Sequence, residues 1–489
     1  MFWGRLRAGM QNESIPRCAT GSDRVGSGDD AELPYHNTST KLPVQIPQPQ
    51  CHPVTLRVEP VGKARNAVLK QCSASPLLIC LSHVSPWPSR AGNEYRIQRM
   101  LTWLKSRGWD IILLLCPLRG EEKSESEISA VASECSNLIY INRTGLLQYH
   151  ADREDIAACV RSLQGRKSKD YAAILSEDDP SNPVFRLNHV TRTFSPDVLI
   201  ETLLGLERKL APRIVLANYV FMTRGLPLLD TRTLKIVDTI DVFSTKASKV
   251  CAFGIEDSLA MTSAEEGALL ARANVALAIQ AEEGDELRRI APSAKVITVG
   301  VDMPEPPRSN ERVNGKVVLF VASKNPMNSM GLRDFVRFSW PRVIQAHPDA
   351  ELQIVGSVGD ALFGDEPGVK ALGRVDDLAF AYERARLVIN PAVAGTGLKI
   401  KTLEALAHLR PIVLWPSGVD GVPPGLRSLC ECVTDWFAFT RSVIRHLDND
   451  EAGNRIRTAR DRIRDLLSPK TVYAELEGII QKTASCPAK

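Results

Sequence analysis

The sequence predicts an α/β protein with two doubly wound parallel-sheet domains that face each other across a cleft. Two stretches, 77–116 and 316–355, begin alike, each with an apolar strand, a polar turn, a helix and a second apolar strand. This order is typical of the start of a parallel sheet that is covered by helices on both faces. Between them, the proline-rich segment 303–315 interrupts the alternation and predicts a stiff interdomain linker.

The apolar and periodic runs place the individual elements in order. Between 120 and 190 the alternation is weakest. Strands are predicted at 77–81, 111–116, 137–141, 213–216, 234–243, 275–279, 295–299, 316–322, 351–355, 370–373, 387–390 and 411–415. Helices are predicted at 94–107, 152–163, 196–210, 265–273, 282–290, from the turn after 328 to about 346, and at 377–384, 398–409, 436–447, 452–467 and 472–481.

These elements divide the chain into five segments. Residues 1–73 are rich in Ser, Pro, Gly, Gln and Asn, and predict a disordered or extended tail. Residues 74–302 predict a first Rossmann-like domain, and residues 316–470 predict a second one after the linker 303–315. The last residues, 471–489, predict a C-terminal helix and tail that could pack back across the domains.

The bulk composition is that of a globular protein without a strong electrostatic preference. The 489 residues suffice for two ordinary domains, and 44% hydrophobic with 24% charged residues lets each domain bury a core. The 61 basic residues nearly balance the 57 acidic ones, which leaves a net charge of +4. We therefore expect no nucleic acid as a partner.

Cysteines and apolar runs indicate a cytoplasmic protein. The eleven cysteines show no zinc-binding spacing, and Cys80 and Cys116 lie within apolar strands, as reduced buried thiols do. No apolar run is long enough to span a membrane, and the first residues lack the apolar core of a secretory signal. Peripheral contact with a membrane stays open.

The stretch 390–415 carries the clearest chemical signal. A strand is followed by a glycine turn and a helix, whose start leaves backbone N–H groups unpaired and carries the positive end of the helix dipole. Phosphate suits such a corner. The helical spacing predicts a polar face with Gly397, Lys401, Glu404 and His408, and an apolar face toward a sheet with Ile400, Leu403, Leu406 and Ala407.

Lys401 and Glu404 indicate which ligand this corner could bind. Lys401 adds a positive charge near a phosphate, and the carboxylate of Glu404 suits the paired hydroxyls of a ribose. The alternative is a solvated Lys401–Glu404 pair worth a few tenths of a kcal/mol. Two other phosphate motifs are excluded, because the Gly-Lys-Ser/Thr ending of a P-loop is absent and Ile400 stands where a dinucleotide fingerprint needs glycine.

The stretch resembles the donor-nucleotide motif of the group 1 (family 4) glycosyltransferases of GT-B architecture, whose pattern reads Gly-x-Gly-x-Lys-x-Lys-x-x-Glu-Ala. The resemblance implies that Glu404 binds the ribose hydroxyls of a sugar nucleotide and that Gly395, Gly397 and Lys401 lie at its diphosphate. Many members carry a further glutamate eight residues earlier, which contacts the donor sugar. Here that position is Thr396, and we place Thr396 in the predicted donor site.

The resemblance extends more loosely to the first domain and to the turn after strand 316–322. It implies that the loop with Gly92 faces the donor and that Lys324 contacts phosphate. The segment 238–243 is similar to the family pattern Asp-Thr-His-Asp-Val-Phe, with Ile240 in place of the histidine. Asp238 and Asp241 are candidates for orienting the acceptor hydroxyl, although acidic residues at a strand end also cap helices. His83, in the Gly92 loop, is expected to be structural.

The resemblance implies a glycosyltransferase that transfers a sugar from a UDP- or GDP-sugar to a glycan or lipid-linked acceptor with retention. Lys401 and Asp241 are its predicted catalytic residues, with Lys401 stabilising the leaving nucleotide. We expect no cofactor and no metal, because helix N-termini and lysines can stabilise a diphosphate and Asp376–Asp377 reads as a helix cap. Two alternatives remain: a non-catalytic scaffold, favoured by Ile240 and Thr396, and a sugar-nucleotide epimerase.

Overall fold

The computed structural model describes residues 53–61, 75–251, 259–307, 313–362, 364, 366–375, 378–392, 397 and 399–485. Within these ranges the chain forms two α/β domains, each built on its own sheet of mainly parallel strands. The predicted fold class is therefore confirmed. Apolar side chains fill both faces of each sheet, as buried parallel strands require.

The first domain has nine strands among the described residues, in the order β1-β5-β4-β3-β2-β6-β7-β8-β9. Neighbouring strands are parallel except for β4 and β5. The strands are β1 (Arg57–Pro60), β2 (Leu77–Ser82), β3 (Asp110–Leu115), β4 (Asn137–Ile141), β5 (Leu146–Ala151), β6 (Ile214–Asn218), β7 (Leu234–Asp238), β8 (Val275–Ala278) and β9 (Lys295–Thr298).

Helices cover both faces of this sheet. Most begin after a strand end, as crossover connections in a doubly wound sheet do. They are α1 (Gly92–Ser106), α2 (Glu125–Glu134), α3 (Glu154–Arg161), α4 (Tyr171–Ile174), α5 (Asn188–Phe194), α6 (Asp197–Leu210), α7 (Phe243–Cys251), α8 (Ser263–Leu270) and α9 (Ala281–Ile290), with short 3-10 turns at Phe185–Leu187 and Val220–Leu228.

The second domain has six parallel strands among the described residues, in the order β12-β11-β10-β13-β14-β15. The strands are β10 (Val317–Val321), β11 (Glu351–Val355), β12 (Val369–Gly373), β13 (Leu387–Asn390), β14 (Ile412–Leu414) and β15 (Cys430–Cys432). The helices are α10 (Pro326–Phe338), α11 (Trp340–Ala346), α12 (Leu378–Arg384), α13 (Ile400–Ala407), α14 (Pro424–Arg427), α15 (Trp436–Asp448), α16 (Glu451–Thr458) and α17 (Arg460–Leu466), with 3-10 turns at Ser357–Ala361 and Pro416–Val419.

Two strands of the first sheet differ from the sequence analysis. Residues 57–60, which fall in the predicted tail, form the edge strand β1 beside β5. Strand β5 itself, in the weakly patterned region, runs antiparallel to β4. Neither strand shows a buried apolar pattern, because β1 is mostly exposed and β5 is mostly half-buried at the rim of the sheet.

The last two described helices pack on the first domain. Helices α18 (Pro469–Val472) and α19 (Ala474–Ser485) return from the second domain, and Tyr473 between them stacks on Trp103 with ring centroids 4.3 Å apart. Leu476 and Ile480 join the core under α1. This return, which the sequence analysis expects, ties the two domains together.

A buried cluster joins the domains beneath the cleft. Leu403 and Leu406 of α13 pack with Ile279, which follows β8, and with Val301 and Met303 in the segment between β9 and β10 that connects the two domains. The predicted apolar face of this helix therefore meets the interdomain cluster, whereas Ala405 packs toward the second sheet. The expectation that this face lies on a sheet is wrong, because its residues pack in the interdomain cluster and the residue that packs toward the sheet is Ala405.

A buried ion pair holds the start of the segment that connects the two domains. Arg96 of α1 and Asp238 at the end of β7 are 1% and 0% exposed, with Nη2 and Oδ1 2.7 Å apart. The same guanidinium donates to the carbonyls of Val299 and Gly300, at 2.8 and 2.6 Å. Asp238 is thus enclosed by a structural partner, which corrects its candidacy as an acceptor-orienting residue.

Replacing Arg96 with methionine should destabilise the protein by about 3–5 kcal/mol, because it leaves the buried carboxylate of Asp238 without a counter-charge. The double variant Arg96→Met/Asp238→Leu should recover part of this loss, since both charges are then absent. Urea unfolding followed by circular dichroism measures the difference. A single variant as stable as the wild type would contradict the structural assignment.

Candidate functional site

The candidate site lies where the carboxyl ends of the two sheets face each other. At Gly92 an added Cβ would lie 2.9 Å from Cδ1 of Ile400, the first residue of α13. At Gly397 an added Cβ would lie 3.1 Å from Oδ1 of Asp241. Gly397 also has φ +69°, which favours glycine. The glycine turn of the second domain therefore meets two loops of the first domain closely.

Glu404 occupies the interior of this corner. Its carboxylate accepts a hydrogen bond of 3.1 Å from the hydroxyl of Tyr382 on α12, whose ring stacks on His408. Burial raises the pKa of Glu404 to about 7. Burial also raises the pKa of Tyr95 on α1, and the Glu404 carboxylate raises it further. Glu404 therefore contacts the second domain directly and lies within electrostatic reach of the first.

Lys401 points to the start of another helix. Its Nζ donates to Oδ1 of Asn328, in the first turn of α10, at 2.8 Å, and lies 5.5 Å from the ring centroid of Phe320. Burial, followed by the charge of Lys399, lowers the pKa of Lys401 to about 8. A bound anion would stabilise the charged form of this lysine.

The solvated Lys401–Glu404 pair of the sequence analysis is not what the structure shows. The lysine contacts Asn328 and the carboxylate contacts Tyr382, so each side chain has its own protein partner. The polar face of the helix therefore contacts other elements of the second domain instead of facing only bulk solvent.

Lys399 is a further cation in the glycine turn. Its Nζ donates to the carbonyl of Gly397 at 2.7 Å. Burial lowers its pKa, and the carboxylates of Asp420 and Asp241 act in the opposite direction. Lys399 thus lies within electrostatic reach of both domains.

Lys324 and Asp241, two further predicted residues, each have partners in their own domain. Lys324 is exposed in the turn after β10, where its N–H donates to Oγ of Ser357 at 2.9 Å and its Nζ lies 3.4 Å from the carbonyl of Asp360. Asp241 pairs with Lys246 at 2.8 Å. Gly395 and Thr396 fall outside the described residues.

Two strand ends of the first domain have unusual backbone conformations at the cleft. Tyr219 after β6 and Ile240 after β7 have φ of +70° and +63°. Such conformations cost about 1–3 kcal/mol each in residues other than glycine, and they concentrate at functional sites. The carbonyl of Ile240 would lie 3.3 Å from a Cβ at Gly397, so this strained segment contacts the glycine turn directly.

His83 has the structural role that the sequence analysis expects. It is buried between the rings of Phe194 and Tyr219, with centroids 4.8 and 4.9 Å away. Burial lowers its pKa to about 3. The neutral imidazole is therefore a packing element of the cleft floor.

Three residues of the corner were missed by the sequence analysis. Tyr382 and Asn328 come from elements distant in the chain, and nothing in their local pattern indicates a contact with α13. Lys399 had a signal, because it stands in the Gly-x-Gly-x-Lys-x-Lys pattern, but only Lys401 was selected. The cationic part of the site is therefore larger than predicted.

Fold and site define an α/β protein with a polar corner between two domains, and comparisons with known proteins show what the chain resembles. Residues 315–449 match the family model described as glycosyl transferases group 1. The predicted resemblance to group 1 glycosyltransferases of GT-B architecture is confirmed, and the match supports glycosyl transfer in general. No curated protein matches the chain in sequence.

Solved structures share the fold at low identity. Sucrose-phosphate synthase from Thermosynechococcus elongatus is 14% identical over 83% of this chain and 98% of its own, with a TM-score of 0.54. HepE from Anabaena, in complex with UDP-glucose, is 11% identical over 83% and 100%, with a TM-score of 0.55. A TarM variant from S. aureus, in complex with fondaparinux, alpha-GlcNAc-glycerol and UDP, is 10% identical over 84% and 100%, with a TM-score of 0.54. At these identities the likeness shows the fold alone.

Among the described helices, none is both long and apolar enough to cross a bilayer.

Glu404→Gln should stabilise the ligand-free protein at alkaline pH. The folded state keeps the Glu404 proton up to about pH 7, whereas the unfolded chain releases it near 4.5. This contribution to stability is therefore complete below pH 4.5 and is lost as the pH rises through 7. The glutamine does not titrate, so its advantage should grow to about 1–3 kcal/mol at pH 8.

Thermal unfolding midpoints of both proteins between pH 5 and 8 measure this difference. Glu127→Gln serves as a control, because hydrogen bonds from Ser124 lower the pKa of Glu127 and its titration lies below this pH range. The difference between this variant and the wild type should therefore stay nearly constant from pH 5 to 8. A constant difference between Glu404→Gln and wild type across the range would contradict the buried carboxyl.

Proposed function

We propose that the protein is a retaining, metal-independent glycosyltransferase that uses a UDP- or GDP-sugar and transfers the sugar to a glycan or lipid-linked acceptor. The observation that carries the proposal is the corner around α13, where Glu404 and Lys401 lie four and one residues into a helix that begins at the cleft. HepE and TarM, which share the fold, were solved with UDP-glucose and with UDP. These complexes support a sugar nucleotide as donor.

The donor would lie with its ribose at Glu404 and its diphosphate between the glycine turn and α10. The N-termini of α10 and α13 and the ammonium group of Lys401 converge there. Such groups stabilise an anion in a region from which water is largely excluded. Lys401 would stabilise the charge that develops on the departing diphosphate, with Lys399 and Lys324 as further cations.

The acceptor would enter along the first domain. Asp241 lies at the meeting point of the domains, beside Gly397, and its pairing with Lys246 keeps it close to the reacting sugar. A carboxylate at this place can accept a hydrogen bond from the attacking hydroxyl and orient it. Gly92, exposed at the start of α1, lets the backbone approach the donor from the same side.

The proposed cellular location is the cytoplasm, with peripheral membrane contact remaining open. The described cysteines, of which Cys80, Cys116 and Cys159 are buried, are free thiols, as is usual in a reducing compartment.

One observation favours the second candidate, a GT-B scaffold that binds nucleotide without turnover. Ile240 stands where the resembling pattern has histidine, and its side chain is buried in the core of the first domain. It therefore offers no hydrogen bond to a sugar. Release of free nucleotide from UDP- and GDP-sugars, with and without candidate acceptors, separates the two. Binding of donors without release would favour the scaffold.

Glu404→Ala should weaken binding of UDP or GDP by roughly 1–3 kcal/mol, because a hydrogen bond between the ribose and a buried carboxylate is lost. Titration calorimetry measures the change. A variant with wild-type affinity for both nucleotides would remove Glu404 from the proposed donor site.

Lys401→Met should distinguish the diphosphate from the nucleoside. It removes a cation near the phosphates, so UDP or GDP affinity should fall about tenfold or more while affinity for uridine or guanosine stays nearly constant. Glu404→Ala, in contrast, should weaken both the nucleoside and the diphosphate. Equal losses for nucleoside and diphosphate in Lys401→Met would argue against the proposed orientation.

A further inference from the structure

A pair of buried polar side chains follows strand β8 on the first-domain side of the cleft. Gln280 precedes α9 and Glu283 lies in its first turn, and they are 6% and 4% exposed. Nε2 of Gln280 donates to Oε1 of Glu283 at 2.9 Å. The two side chains therefore form one unit with a fixed geometry.

Each member of this pair has an oxygen without a hydrogen-bond partner. Within the described structure, Oε2 of Glu283 and Oε1 of Gln280 are buried and accept no hydrogen bond. Buried oxygens of this kind are rare in folded proteins, and a ligand is one of the usual reasons for them. The amide oxygen of Gln280 is an acceptor, and the orphaned oxygen of Glu283 is an acceptor when the carboxyl is ionised, so the missing partner of the pair is a donor.

The neighbours of the pair place it at the junction of the two domains. Ile279, just before Gln280, packs in the interdomain cluster with Leu403. Glu282, just before Glu283, pairs with Arg427 of α14 in the second domain at 2.7 Å. Because Ile279 and Glu282 both touch residues of the second domain, the pair lies close to the junction of the two domains.

Electrostatic coupling gives the same location. Burial raises the pKa of Glu283 to about 7, and the carboxylate of Asp241 contributes to this rise, while Lys399 and Lys249 oppose it. Asp241 and Lys399 are the groups that meet where the glycine turn reaches the first domain. Glu283 therefore lies within electrostatic reach of both groups.

The chemistry of the pair suits neighbouring hydroxyl groups. The free amide oxygen of Gln280 and the free carboxylate oxygen of Glu283 can each accept a hydrogen bond from one hydroxyl of a vicinal diol. A phosphate, which offers acceptors, would not satisfy them. The nucleotide corner lies on the second domain, so a sugar bound to this pair on the first domain is the acceptor.

We propose that Gln280 and Glu283 form a hydroxyl-binding subsite that recognises a carbohydrate acceptor through two neighbouring hydroxyls of its ring. The inference rests on the proposed glycosyltransferase function and deepens it, since it names a sugar ring, free or lipid-linked, as the group that receives the transferred sugar.

Direct sugar binding tests the subsite without turnover. Saturation-transfer NMR with the methyl α-glycosides of glucose, mannose, galactose and N-acetylglucosamine, in the absence of nucleotide, should show binding of at least one of them to the wild type. Glu283→Met and Gln280→Met should each weaken that binding about tenfold. Glu283→Gln, which keeps an acceptor, should weaken it less.

Stability separates a binding role from a structural one. Because the double variant Gln280→Met/Glu283→Met removes both buried polar groups and leaves neither partner unpaired, it should lose sugar binding and yet unfold at the same or a higher temperature than the wild type. Glu286→Gln, on the same helix but paired with Arg289, is the matched control and should bind sugar normally. UDP affinity should be unchanged in all variants.

Three results would overturn the proposal. They are the absence of binding of any of the four glycosides to the wild type, unchanged binding in the methionine variants, and loss of binding in the double variant accompanied by a lower unfolding temperature. Failure of the wild type to bind UDP or GDP would instead count against the donor site and the proposed function. The two failures are therefore distinguishable.

Discussion

The site depends on the close approach of the two domains at two glycines. Gly92 leaves room for Ile400 at the first turn of α13, and Gly397, in a left-handed conformation, leaves room for Asp241. A side chain at Gly92 would displace the end of the Ile400 side chain, and one at Gly397 would be strained by the left-handed backbone and would crowd the carboxylate of Asp241. The close contact allows a short helix to present its polar residues to a space enclosed on both sides, which is what transfer without hydrolysis requires.

The same enclosure leaves the corner electrostatically unfavourable in the absence of a ligand. Burial raises the pKa of Glu404 and lowers those of Lys401 and Lys399, so these groups are poorly compensated by the protein. The left-handed backbone at Ile240 adds strain beside them. Binding sites commonly combine such costs, because charges and strain that a ligand relieves favour the bound state. The unpartnered oxygen of Glu283 across the cleft belongs to the same pattern.

The sequence predicted the fold class and the focal helix because both depend on local patterns. Apolar strands alternate with periodic helices, and the glycine turn marks the start of α13. Contacts between distant segments left no such pattern. Asp238 was taken for a site residue since its partner Arg96 lies 142 positions away, and Tyr382 was missed for a similar reason. The exposed edge strand β1 lacks the apolar alternation that identifies a strand.

The most direct test of the account is a crystal structure of the protein with UDP or GDP bound. The account predicts that the ribose hydroxyls lie within about 2.6–3.2 Å of the Glu404 carboxylate and that the diphosphate lies against Gly397 and Lys401. A nucleotide bound outside the interdomain cleft, or inside it with the ribose turned away from Glu404, would contradict it.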